Sequence, residues 1–217
     1  MMTVGEISTT RPLAIKVFQR HGIQFCCSGG TTLAEACAAR GVDENSLLQE
    51  IAAEEARSVT TERRWDQAPL NELIDHLQVQ YHAPMREDLA RIEVMAARVV
   101  QVHGHKDDDL ALLLDVVIAL RNDLEPHLTR QEQVLFPQIL RGDGAAAGAP
   151  IAAMRHEHEQ VAILLARARE LTNEYQIPAG ACRTWSALWA GLETLDRELV
   201  EHIALENNVL FPRALAS

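Results

Sequence analysis

Apolar residues recur at three- and four-residue intervals through four long stretches of the chain, at 70–103, 107–140, 151–175 and 179–214, and each reads as an amphipathic helix. The polar breaks between them are VHGHKDDD, RGDGAAAGAP and NEYQIPAG. Four consecutive helices with short connections bury their apolar stripes most simply as an up-down-up-down four-helix bundle, so the expected fold class is all-α. Residues 1–56 read as a small helical domain ahead of the bundle. Pro12 opens one short helix and Gly22 closes it; Thr31 or Thr32 caps a segment running to Arg40; Asp43 caps the next, whose apolar side is Leu47, Leu48 and Ile51. The polar, aperiodic stretch RSVTTERRWDQAP places a linker at 57–69 and the bundle at 70–217.

One segment occurs twice. HLTRQEQVLFP at 127–137 returns as HIALENNVLFP at 202–212, in the second and fourth helices, which makes the two helical hairpins pseudo-symmetric partners. A histidine followed four residues later by an oxygen side chain puts both groups on one helix face, where they can hold the same ion. The copies differ chemically: the second offers the carboxylate of Glu206, the first the neutral amide of Gln131.

Helical phase sorts the nine histidines. His82 lies in line with Val79, Met85 and Leu89, whereas His76 is about 120° away around the helix. His158 lies in line with Met154, Val161 and Leu165, and His156 does not. His127 sits between Leu124 and Val134, and His202 among Leu195, Leu199, Leu205 and Val209, so both face the core. One inward histidine per helix points to a metal centre. His103 and His105 flank Gly104 where the first helix ends, and spacing alone leaves either as a further ligand, with His103 in somewhat better phase. Asp123 and Glu198 each precede a ligand histidine by four residues, either orienting the imidazole through its other ring nitrogen or lying as solvated surface acids.

A net charge of -11 without any basic stripe argues against nucleic acid and anionic membrane surfaces as partners. The most apolar segment, LALLLDVVIAL, is short and broken by Asp115, and the N-terminus does not read as a signal peptide, so the expected location is the cytoplasm. Four scattered cysteines form no secretory framework and fit a reducing compartment. Adjacent Cys26 and Cys27, in the loop FCCSGG, are poorly placed to bond to each other and read as an accessible thiol pair for metal or redox exchange; Cys37 and Cys182 read as structural.

Imidazoles with one or two carboxylates and no thiolate suit iron, and manganese or zinc less specifically. The number of donors exceeds what one closed tetrahedral zinc site needs and suggests two metals. These residues resemble a hemerythrin-like domain, and with the N-terminal part the chain resembles the RIC family of iron-sulfur cluster repair di-iron proteins. TVGEI, VFQRHGIQFCCSGG and TLAEAC carry the likeness to that family's ScdA-type domain; DHLQVQYH, VHG, HLTRQEQVLFP, EH and HIALENNVLFP carry the rest. The resemblance implies two non-haem irons held by His82, His103, His127, His158 and His202 with Glu206 bridging, and it links Cys26 and Cys27 to iron transfer or redox chemistry.

The family's pattern has a second bridging glutamate where this chain has Gln131. An amide oxygen normally serves one metal, so the site loses a charge and a bridge. Glu132 is next door but about 100° around the helix and needs a local distortion to take that place. The expectation is a di-iron site held by Glu206 and an oxo or hydroxo bridge, with one iron more labile than the family pattern implies. The implied function is repair of iron-sulfur clusters damaged by nitric oxide or oxidative stress, through iron storage and donation to damaged iron-sulfur proteins. The alternatives are a scavenger or sensor that binds nitric oxide or dioxygen, and a reductase of nitric oxide or peroxide. Family similarity also suggests a homodimer.

Overall fold

The computed structural model describes residues 2–26, 29–57 and 63–216. The chain is all-α: a small helical N-terminal part is followed by the four long helices of the bundle, as the hydrophobic pattern predicts. The described residues fall into two compact units. One comprises Met1–Ile74, Ile139–Gly148 and Val200–Ser217, the other Asp75–Gln138 and Ala149–Leu199.

In the first unit, α1 (Val4–Thr10) is a helix that the periodicity does not announce. It starts on a reciprocal cap, in which the Thr3 side chain accepts from the Glu6 amide and the Glu6 carboxylate accepts from the Thr3 amide. α2 (Ala14–Arg20) follows Pro12 and ends before Gly22. α3 (Leu33–Arg40) repeats the same cap with Thr32 and Glu35, and it stops at Gly41, whose φ of +66° is the left-handed conformation that glycine adopts without strain. α4 (Glu44–Arg57) follows Asp43, which accepts from the Ser46 amide. Val17, Phe18, Phe25, Leu33, Leu47 and Ile51 form the apolar interior. The same unit includes the end of the chain. α1 packs against the turn Glu206–Leu210, and Arg213 donates to the carbonyl of Trp65.

The long helices are not uniform. α5 (Leu70–Leu77) runs through a π turn at Gln78–His82 into α6 (Ala83–His103). α7 (Asp109–Arg130) runs through a π turn at Gln131–Leu135 into α8 (Phe136–Leu140). α9 (Gly144–Leu171) follows, and α10 (Arg183–Leu205) passes through a π turn at Glu206–Leu210 into α11 (Phe211–Leu215). Each π turn shifts the phase of the apolar stripe, because its hydrogen bonds span five residues instead of four. This corrects two readings of the stripe: Val79 is 62% exposed and Val134 48%, although each falls beside a buried histidine in an uninterrupted 3.6-residue helix. Leu77, five residues before His82, is the buried neighbour instead. α9 also begins before residue 151, because Asp143 accepts from the Ala146 amide and the alanine-rich run GAAAGAP continues as helix.

Within the second unit, α6 packs along α7. Met85, Leu89, Ile92, Ala96 and Val99 face inward on α6, and Leu110, Leu113, Val117, Leu120 and Leu124 on α7. Among the described residues no helix is long and apolar enough to cross a membrane.

Candidate metal centre

His82 closes the first π turn and is fully buried. Its Nδ1 donates to Glu132 Oε1 at 2.8 Å, and Arg86 donates to both oxygens of the same carboxylate, at 2.8 and 3.1 Å. Phe136 stacks on the imidazole with ring centroids 5.6 Å apart. His127, in the last turn of α7, has the same surroundings: Nδ1 donates to Glu157 Oε2 at 2.7 Å, and Arg130 donates to Glu157 Oε1 at 2.7 Å. Burial raises both carboxyl groups, but hydrogen bonds from the arginine and the histidine outweigh it and hold Glu132 and Glu157 below the ordinary carboxylate range. Each acid therefore stays ionised, keeps the proton on Nδ1 and presents Nε2 as the ligand nitrogen.

His158 is buried on α9, its ring centroid 5.0 Å from that of His127, and the two offer ligand atoms within 4.8 Å of each other. Gln131, four residues after His127, opens the second π turn and is fully buried. In the first unit, His202 and Glu206 are both buried, with Nε2 3.1 Å from Oε1. Glu206 opens the third π turn as Gln131 opens the second. Imidazoles with a buried carboxylate fit non-haem iron, and a metal-bound imidazole is oriented by an acceptor on its other ring nitrogen, as Glu132 and Glu157 provide for His82 and His127.

The remaining expectations fare differently. His103 ends α6, 21 residues beyond His82, and its Nε2 lies 3.3 Å from Cys182 Sγ with Trp185 5.0 Å from its ring. A helix rises about 1.5 Å per residue, so His103 stands about 30 Å along the helix from His82 and does not share its site. Cys182 is exposed beside it. Cys26 is 7% exposed, so it is not the accessible thiol that its glycine-rich loop suggests; Cys27 lies outside the described residues. The carbonyls of Cys26 and Phe25 accept from the side chains of Asn207 and Asn208. Asp123 is exposed, and Glu157 takes the orienting place on His127. Glu132 serves His82 while Gln131 keeps the inward position, so the π turn does not exchange them. A sequence signal for these acids exists: each is adjacent to an inward residue, and an arginine follows each histidine, at Arg86 and Arg130.

The hemerythrin HHE cation binding domain matches residues 73–214, and the ScdA_N domain, described as of unknown function, matches residues 1–55. The chain thus joins a metal-binding helical bundle to an ScdA-type module. An iron-sulfur cluster repair protein YtfE of Edwardsiella ictaluri is 40% identical over 212 residues, covering 98% of this chain and 96% of the relative. The proteins of that name from Escherichia coli O1:K1 and Escherichia fergusonii are each 38% identical over 213 residues, covering 98% of this chain and 96% of their own. The chain belongs to this family of iron-sulfur cluster repair proteins built on a hemerythrin HHE domain.

Proposed function

We propose that the chain is a non-haem di-iron protein that repairs iron-sulfur clusters damaged by nitric oxide or oxidants, by storing iron and donating it. In this reading, which follows the family resemblance, His82, His127, His158, His202 and Glu206 would hold the irons, with Glu206 bridging. His103 is left out of the set. Gln131 stands beside His127 as a neutral amide, so the second iron is the more easily released.

The observation that carries the reading is the twice-built arrangement of arginine, glutamate and buried histidine at Arg86–Glu132–His82 and Arg130–Glu157–His127. Such carboxylates fix the tautomer and raise the basicity of a ligand imidazole. When bound, iron supplies ligand exchange and one-electron chemistry; the chain supplies fixed nitrogens, one bridging carboxylate and a dry surround. The names of the relatives supply the repair role. Damaged iron-sulfur proteins as recipients, nitric oxide or dioxygen as small ligands, a homodimer, a cytoplasmic location and a domain division at 57–69 belong to the same reading. Cys26 and Cys27 assist delivery.

The test is anaerobic loading with iron followed by transfer to an apo iron-sulfur protein, with Cys26→Ser/Cys27→Ser and Gln131→Glu variants alongside. Cluster recovery that falls in the double serine variant supports repair. Undiminished nitric oxide binding without any iron transfer overturns it in favour of a gas-binding role.

A further inference from the structure

Cys182 is exposed, whereas Cys26 and Cys37 are buried. Its thiol donates to His103 Nε2 at 3.3 Å, across 79 residues of chain, and Trp185 packs on the imidazole with ring centroids 5.0 Å apart. The pair lies between two helix ends. His103 closes α6, and Cys182 directly precedes α10, its carbonyl accepting from the Ser186 amide at 2.9 Å. The carbonyl end of a helix favours a cation and the amide end an anion, so both ends suit a proton that moves from sulfur to imidazole. The indole N–H of Trp185 is buried with no acceptor among the described residues, which leaves an unused donor on the ring that packs against His103. A cysteine kept for packing is Cys37, enclosed at 2% exposure, its thiol pushed up by burial and then by Glu44 and Asp43. Cys182 has no such enclosure.

We propose that Cys182 and His103 form a reactive thiol–imidazole pair, a modification site at which small disulfides exchange onto Cys182. His103 Nε2 takes the thiol proton, the Cys182 sulfur attacks one sulfur of the disulfide, and the old S–S bond breaks as the new one forms. The expelled thiolate takes the proton from His103. One thiol and one disulfide thus give one mixed disulfide and one thiol, with no further oxidant. Exchange needs an accessible sulfur with a base in reach, and Cys182 has both. Trp185 acts as a positioning residue for the imidazole. The site stands about 30 Å along the helix from His82, so it does not depend on the iron reading.

The experiment incubates the full-length protein with glutathione disulfide and follows the mixed disulfide on each cysteine-containing peptide by mass spectrometry. A synthetic peptide of residues 178–186, PAGACRTWS, gives the rate of the same cysteine without His103. A free thiol is only roughly a few per cent ionised at neutral pH, so Cys182 in the folded chain should exchange about ten-fold faster than the peptide, and Cys37 far more slowly. His103→Ala should bring Cys182 down to the rate of the peptide. Imidazole added to the solution should then raise it again, which a purely structural role of His103 would not allow. Cys182 reacting no faster than the peptide overturns the proposal, as does an unchanged rate in His103→Ala or a loss that imidazole leaves untouched. The comparison with the peptide uses the natural chain, so it decides the matter even where His103→Ala fails to fold.

Discussion

Gln131 and Glu206 each open a π turn four residues after a buried histidine, and both side chains are wholly enclosed. Equal burial makes the difference of charge consequential, because a buried carboxylate needs a cation and a buried amide does not. Glu206→Gln should therefore abolish stable binding of both irons, whereas Gln131→Ala should affect one. Iron per chain after gel filtration checks this, and equal losses in the two variants would count against Glu206 as the bridge.

The glutamates outside the ligand set carry their own prediction. Glu157→Gln leaves His127 without an ionised acceptor on Nδ1, and Glu132→Gln does the same to His82. Iron affinity should fall about 10–100-fold in each, as for other outer partners of metal-bound histidine. Chelator competition measures it, with circular dichroism to show that the helices remain.

His103 gives the opposite expectation. It sits beside Cys182 and Trp185, so His103→Gln should leave iron stoichiometry and release rate unchanged. A lost iron in this variant would return His103 to the ligand set.

At the end of α9, residues Asn173, Glu174 and Tyr175 all have positive φ, which side chains other than glycine resist. The Tyr175 hydroxyl donates to Asp196 at 2.6 Å, and Arg169 holds the same buried carboxylate. Tyr175→Phe should lower stability by about 1–3 kcal/mol, since it leaves Asp196 short of a donor. Burial first, then the charge and hydrogen bond of Asp196, push the phenol well above its ordinary range. A raised folded value means that this contribution is full below the unfolded phenol's pKa of about 10 and declines as pH rises past it. Thermal unfolding of the two proteins should therefore converge in strong alkali.

The π turns can be tested through the residues they expel. Val79→Ser should change stability by less than about 0.5 kcal/mol, as at other surface sites, while Leu77→Ala should cost about 2–5 kcal/mol. The reverse order would show an uninterrupted α-helix at His82.

Much of this was legible in the chain. Four periodic stretches and the repeated HxxxQ and HxxxE turns point to the bundle and to His82, His127, His158, His202, Gln131 and Glu206 as inward groups, because helix phase decides burial. What periodicity cannot carry is a change of period, so helical phase points Val79 and Val134 inward although both are exposed. Nor can it carry contacts between helices, so Glu157 on His127 and Glu132 on His82 emerge only from the packed structure. His103 shows the limit of a motif: VHG marks the end of α6, and distance along the helix separates that end from His82. Nor does periodicity reveal that the Cys26 carbonyl accepts from Asn207, 181 residues away.

The proposed pair of irons is asymmetric, one held by the full complement of donors and one weakened at Gln131. Iron remaining per chain during a timed chelator challenge, for the wild type and Gln131→Glu after identical anaerobic loading, tests it most directly. Loss should be biphasic in the wild type, with about half of the iron leaving first, and slower and single-phase in Gln131→Glu. Identical single-phase release from both proteins would contradict it.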